Sequence, residues 1–511
     1  MTLQLFNDNV SSIPKMATGI HGLDSITQGG LPRGRVTLVS GSAGSGKTVL
    51  ATQFLAEGIG RGESGVFVTF EDAPGDLRAN MRGFGWPLEE WERSGQFSFV
   101  DATPEPGEQL TVIGTYDLGG LIARIENAVR RTGATRVSVD SLGAVLSHLP
   151  DRATLRVELF RLVAALKELG VTTLMTAERR DDKGDLTRFG VEEFVVDNVI
   201  VLRNTIVEEK RRRTIEVLKF RGAFHNKGEF PFSIDPRDGF VVIPLTAIEL
   251  KQKSSNVRIT SGNAQVDDMC GGGFFRDSIV LISGATGTGK TLTVTQFING
   301  GAQNNERCLL FAFEESRDQL YRNAASWNVD FEKFEREGNL IVVAEYPHAY
   351  GLEDHLLRMR RAIEQFKPHR VAVDSLSALE RVSSLHSFRE FVTGLTSFIK
   401  LHEIAGLFTS TTPTLAGGNS ITESHISTIT DSIILLRYVE MYGEMRRGLT
   451  VLKMRGCSHD KEIREFTIDS DGMHIGRQFR NVIGILTGNL VHVSADDLER
   501  MGELFAEDDK R

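Results

Sequence analysis

The chain has 511 residues, a net charge of −9 and 40% hydrophobic residues, which implies two or more folded domains and argues against a globally basic face for nucleic acid. Its three cysteines, Cys270, Cys308 and Cys457, show no C-x-x-C spacing, so neither a zinc site nor a disulfide framework is indicated. The first residues carry no basic start before an apolar stretch, and no run approaches the ~18 apolar residues that cross a membrane, so a cytoplasmic protein is expected.

In chain order, the apolar run Val36–Ser40 leads into Gly41-Ser42-Ala43-Gly44-Ser45-Gly46-Lys47-Thr48, and a helical pattern, Val49–Ala56, leads out. This is G-x-x-x-x-G-K-T in a strand-to-helix context. The glycines let the backbone wrap phosphates, and the helix N-terminus adds its dipole. Lys47 would neutralise the β- and γ-phosphates, and Thr48 would hold Mg²⁺ through its hydroxyl. The next strand, Val66–Phe70, ends on Glu71-Asp72. Adjacent carboxylates at a strand end repel each other and are seldom placed there for stability. Beside a γ-phosphate, one of them can orient or deprotonate a nucleophile, either water or a protein hydroxyl.

A stretch rich in Pro and Gly, Asp101–Gly120, reads as a loop before a helix over Leu121–Arg131. The strand Arg136–Asp140 ends on an acid that can hold the metal's water shell, although an aspartate capping the next helix is the plainer alternative. A helix over Leu155–Leu169 and a strand over Val171–Thr176 follow. Val199–Leu202 and Thr214–Leu218 then read as a hairpin added to the sheet, with the basic run Lys210–Arg213 in its solvated turn. The polar stretch Lys251–Asn256, inside Leu245–Ser261, reads as a linker.

The whole pattern then repeats. Gly284-Ala285-Thr286-Gly287-Thr288-Gly289-Lys290-Thr291 follows its own strand, Val280–Ser283, and opens its own helical pattern, Leu292–Ile298. Lys290 follows Lys47 by 243 residues (290 − 47), and Asp267 and Glu314 follow Asp24 and Glu71 by the same step. Asp374 follows Asp140 by 234 residues (374 − 140), as Arg455 follows Arg221. The second copy has thus lost nine residues (243 − 234) between Glu314 and Asp374, and the loop Asp101–Gly120 is the expected site of the extra ones. The expected fold is α/β: two tandem RecA-like P-loop NTPase domains, each a mostly parallel sheet flanked by helices. The expected domains are residues 1–248 and 249–485, with an acidic C-terminal tail over 486–511 that can form a short amphipathic helix. Each copy offers the same candidate set: the phosphate loop, Glu71-Asp72 or Glu314-Glu315, and Asp140 or Asp374.

At Lys219-Phe-Arg221-Gly, Lys453-Met-Arg455-Gly and Ile421-Thr-Glu-Ser-His-Ile-Ser427-Thr428-Ile-Thr-Asp431, together with the two loops and acid pairs, the chain resembles the KaiC family. These are double-domain ATPases and autokinases of bacterial circadian clocks. The resemblance spans roughly residues 17–480. It implies ATP and Mg²⁺ as ligands, a hexameric double ring with ATP between neighbouring subunits, a first ring that is mainly an ATPase, and a second that is autokinase and autophosphatase. It places the phosphates on Ser427 and Thr428, makes Glu314 the base toward them, and lets Lys219, Arg221, Lys453 and Arg455 reach the neighbour's nucleotide. KaiB-like and KaiA-like partners are implied through the first ring and the C-terminal segment. Glu71-Asp72 departs from the family's usual glutamate pair, which leaves the first domain's hydrolysis rate open. At the 234-residue step, Ser427 and Thr428 fall on Glu193 and Phe194 (427 − 234 and 428 − 234), so the first copy has no hydroxyl there.

Two other readings remain open. A nucleotide-gated scaffold would bind ATP with little chemistry. A RecA-type DNA-dependent ATPase would need a basic surface and basic-aromatic loops, which the acidic balance disfavours. No nucleic acid and no membrane are expected as partners.

Overall fold

The computed structural model describes residues 13–103, 118–143, 151–179, 181, 184–207, 210–244, 254–412, 426–441, 443–480, 482–485 and 491–492. Most of the Asp101–Gly120 loop, the linker core 245–253 and the acidic tail beyond 492 lie outside them. The chain divides into two units, Met1–Ile248 and Glu249–Arg511.

The first unit is built on nine strands: β1 (Val36–Gly41), β2 (Gly65–Thr69), β3 (Phe97–Asp101), β4 (Arg136–Asp140), β5 (Thr172–Glu178), β6 (Asn198–Val207), β7 (Lys210–Phe220), β8 (Glu229–Asp235) and β9 (Gly239–Val242). Their order in the sheet is 9-8-7-6-1-5-4-2-3. Strands β1 to β6 run parallel, and β7, β8 and β9 join antiparallel. A parallel sheet covered on both faces needs continuous apolar strands, and every residue of β1, β2 and β4 is buried. Alternation sorts the side chains. Leu38, Val66, Val68 and Val137 pack with helices α1 (Gly119–Thr132) and α2 (Arg152–Glu168) on one face. Val39, Phe67 and Leu174 pack with the helix Lys47–Gly60 on the other.

The second unit repeats this plan with β10 (Ile279–Gly284), β11 (Cys308–Ala312), β12 (Leu340–Ala344), β13 (Arg370–Asp374), β14 (Ala405–Thr411), β15 (Ser432–Met441), β16 (Glu444–Met454), β17 (Arg464–Asp469) and β18 (Gly472–Gln478). The order 12-11-13-14-10-15-16-17-18 is the same topology read from the other edge. These two sheets bear out the expected α/β fold.

The expected hairpin forms, as β6 pairs antiparallel with β7, and β8 and β9 extend the sheet beyond it. One expectation about it is corrected. Lys210–Arg213 lies in strand β7 and not in a turn. The pairing of Val207 with Lys210 leaves only two residues for the connection, so the basic run is drawn into the ladder. Residues 255–259 belong to the second unit: Ser255 N–H donates to Asp277 at 3.1 Å, and Arg258–Ile259 pair with Phe274–Phe275.

Beneath each sheet a buried arginine ties the layers together. Arg136, at the start of β4, donates to Glu63 at 2.6 Å and to the carbonyls of Ala17 at 2.8 Å and Phe54 at 3.0 Å. Arg370 repeats this with Glu306 at 2.6 Å, Thr260 at 2.7 Å and Phe297 at 3.0 Å. A buried guanidinium is tolerated only when its donors are met.

Candidate functional site

Each phosphate loop sits at the C-terminal end of a central strand, β1 or β10, where a parallel α/β sheet presents ligands. The loop residues of both units are described throughout. Gly46 and Gly289 stand at helix N-caps with φ of 87° and 107°, a region that side chains with a Cβ avoid. Having no side chain, neither glycine caps the first N–H groups of its helix, the groups that an anion takes. Gly284 must be glycine for another reason: a Cβ there would stand 2.6 Å from the Leu436 carbonyl oxygen.

The loop lysines fold back over the turn they terminate. Lys47 Nζ donates to the carbonyls of Gly41 and Ser42, both at 3.0 Å. Lys290 Nζ donates to those of Gly284 and Ala285, both at 2.9 Å. Burial lowers both lysine pKa values, against the pull of Asp140, Glu178 and Glu71 in the first unit and of Asp374 and Glu314 in the second. An ammonium in that state gains from a phosphate that restores its charge partners.

Asp140 and Asp374 are both buried strand-end acids. Burial raises both pKa values, and hydrogen bonds from Thr176 and Thr48, or from Thr409 and Thr291, oppose it. Thr291 Oγ1 lies 2.8 Å from Asp374 Oδ2. A hydroxyl beside a carboxylate is an all-oxygen donor pair of the kind a hard divalent cation takes. The peptide bonds Asp140–Ser141 and Asp374–Ser375 are both cis.

The acid pairs differ between the units. Glu71 Oε1 accepts from Ser141 Oγ at 2.7 Å. Its pKa is raised by burial, by Glu178 and by Asp140, against the lowering effect of that hydroxyl and of Lys47. Glu314 instead pairs with Arg381 at 2.6 Å, while Glu315 accepts from Asn323 at 2.8 Å and has its pKa raised by burial and by Asp374. Asp72 is exposed, with its backbone carbonyl held by Thr69 Oγ1 at 2.6 Å.

Sequence reasoning missed Ser141, Glu178 and Arg381. Glu178 ends β5, so a scan of strand-end acids would have found it. Arg381 carried no such signal, because only the tertiary fold brings it to Glu314.

The remaining residues gather at the start of β6 and β15. Lys219 Nζ donates to the carbonyls of Val196 at 2.7 Å and Glu193 at 2.9 Å, and Lys453 Nζ donates to that of Thr430 at 2.7 Å. Arg221 is exposed. Arg455 lies 3.7 Å from Asp431 and donates to the Thr428 carbonyl at 3.0 Å. Thr428 is exposed on a 3₁₀ turn, Ile426–Thr428, whose backbone includes Ser427. The first unit places Glu193 and an exposed Phe194 on a short helix at the equivalent point.

A family model described as "ATPase: KaiC" matches residues 16–247 and again 259–479. The chain is 64% identical over 503 residues to the "Circadian clock protein KaiC3" of Synechocystis sp., covering 98% of this chain and all of that protein. It is 53% identical over 495 residues to the "Circadian clock oscillator protein KaiC" of Thermostichus vulcanus, covering 97% and 95%. Among the described residues, no helix is long and apolar enough to cross a membrane.

Proposed function

This chain belongs to the KaiC family of ATPases, and from that premise we propose that it is a clock or timer component whose first unit hydrolyses ATP and whose second phosphorylates its own chain. The observation that carries the reading is a contrast. Both units hold the same lysine, hydroxyl and carboxylate cradle, but only the second offers hydroxyls, Ser427 and Thr428, where the first has Glu193 and Phe194.

In this reading Lys47 and Lys290 bind the β- and γ-phosphates of ATP, with the loop N–H groups around them. Thr48 with Asp140, and Thr291 with Asp374, would hold Mg²⁺, which when bound offsets charge on the phosphates. Glu71, with Asp72 beside it, orients a water and takes its proton. Glu314, with Glu315, takes the proton of the Thr428 or Ser427 hydroxyl as the phosphoryl group arrives. That hydroxyl comes from a neighbouring subunit of a homohexameric double ring. Arg221, Arg455, Lys219 and Lys453 turn toward the neighbour's nucleotide and stabilise charge there, so activity depends on assembly. KaiB-like proteins, and KaiA-like ones at the C-terminal segment, are the proposed partners.

The test is incubation with ATP and Mg²⁺ over a day, with phosphosites mapped by mass spectrometry and Glu314→Gln run alongside. Phosphate on Ser427 or Thr428 that disappears in the variant supports the autokinase. Full phosphorylation in Glu314→Gln removes the base role. ATP hydrolysis with no phosphate anywhere removes the phosphorylation cycle and leaves an ATPase.

A further inference from the structure

Two of the three cysteines meet in the second unit. Cys270 closes the short helix Ala264–Met269, and Cys457 follows Gly456 in the turn after β16. Cys457 Sγ lies 3.9 Å from the carbonyl oxygen of Cys270. The two turns are docked along their backbones. Asp460 N–H donates to the Met269 carbonyl at 2.8 Å, and a Cβ added to Gly271 would stand 2.9 Å from the Ser458 carbonyl oxygen.

The first unit makes the same docking without thiols. Asn226 N–H donates to the Ile26 carbonyl at 2.7 Å. The positions equivalent to Cys270 and Cys457 are Thr27 (270 − 243) and Ala223 (457 − 234). The same docking is therefore made in the first unit with a hydroxyl and a methyl at these points, so the docking itself does not require two thiols at this junction.

We propose that Cys270 and Cys457 are a redox-sensitive dithiol that closes reversibly into a disulfide and clasps the Lys453–Gly456 segment to the helix Ala264–Met269. The oxidant is a low-molecular-weight disulfide of the glutathione class. The Cys457 thiolate attacks one of its sulfurs, that S–S bond breaks, and one small thiolate leaves. Cys270 then gives its proton to solvent, its sulfur attacks Cys457 Sγ, and the second small thiol leaves. Two protein thiols are oxidised and one small disulfide is reduced to two thiols.

Exposure assigns the order of the two steps. Cys457 is partly exposed and Cys270 is buried, so exchange starts at Cys457. Burial pushes the Cys270 thiol up to about 12, with Asp267 adding to the effect and Arg258 opposing it. Closure is therefore the slow step, and it quickens as pH rises.

The clasp would act on the residue that touches the acceptor turn, because Arg455 lies two positions before Cys457 and donates to the Thr428 carbonyl. That consequence rests on the autokinase reading, whereas the disulfide does not.

The experiment equilibrates the full chain in glutathione buffers of graded poise and maps non-reduced peptides by mass spectrometry. The expected product is a linked Cys270–Cys457 peptide, lighter by two hydrogens, that reverts with dithiothreitol. It should be lost in Cys457→Ala and in Cys270→Thr, the residues the first unit already carries. Two thiols that both remain open to alkylation in fully oxidising buffer overturn the proposal, as does a mixed disulfide at Cys457 that never resolves. Phosphate incorporation is then read on oxidised and reduced protein. A several-fold loss on oxidation, absent in Cys457→Ala, supports the clasp, while equal incorporation with the link present overturns its coupling to phosphorylation alone. A linked peptide in protein that never phosphorylates removes the autokinase reading and keeps the disulfide.

Discussion

Thr291 Oγ1 lies 2.8 Å from Asp374 Oδ2, joining the first turn of a helix to the end of a strand 83 residues further along. The contact brings the two proposed cation ligands together from two elements, so removing one partner is expected to disable the site without unfolding it. Asp374→Asn should lower the second unit's nucleotide turnover by about 100-fold or more, the usual scale for losing one preorganised charge-stabilising group. Titrating Mg²⁺ against ATP turnover checks it. Turnover equal to wild type at all Mg²⁺ concentrations would remove Asp374 from the metal site.

Glu71 should show its environment in a pH profile. Burial and neighbouring acids hold its pKa above the usual carboxylate range, and the Ser141 hydroxyl works against them. In its proposed role as base Glu71 must be ionised, so first-unit hydrolysis is expected to fall as pH drops through that raised value. Ser141→Ala removes the lowering contact and should move the acidic limb to higher pH. The measurement is the hydrolysis rate against pH with the second unit silenced by Lys290→Ala. An unmoved limb would mean that another group sets it.

The arginine clamps predict a stability loss. Glu63→Ala leaves the Arg136 guanidinium, itself buried, without its acid. The expected cost is about 3 kcal/mol, the scale for breaking a buried pair from one side. Denaturant unfolding checks it, and Glu306→Ala is the matching change in the second unit.

Asp197 predicts acid behaviour. Burial would raise its pKa, but Lys167, the Val36 N–H and Arg35 overcome this and hold it below the ordinary value. A carboxylate depressed in the folded state contributes stability that is present above its unfolded pKa of about 3.9 and is lost as pH falls through the folded value. Asp197→Asn should therefore destabilise at neutral pH by about 2 kcal/mol, because Lys167 and Arg35 are only partly exposed. The deficit should vanish at strongly acid pH. A pH-independent deficit would assign the effect to packing.

The sequence by itself determined the repeat, the strand-to-helix setting of both phosphate loops, and the acids at the ends of β2, β4, β11 and β13. These are local signals: a glycine pattern, an apolar run and a charge at its end follow from short-range backbone chemistry. It also determined that the second copy alone carries hydroxyls at 427 and 428, since that needs only an alignment of the chain with itself. The tertiary structure decided what stands beside each acid. Glu71 meets Ser141 while Glu314 meets Arg381, although the two glutamates occupy the same place in the repeat. It decided that Lys210–Arg213 belongs to a strand, because ladder register and not composition sets where a hairpin turns. It also brought Cys270 to Cys457 across 187 residues. Contacts of that kind depend on how separate elements pack, which no local pattern encodes.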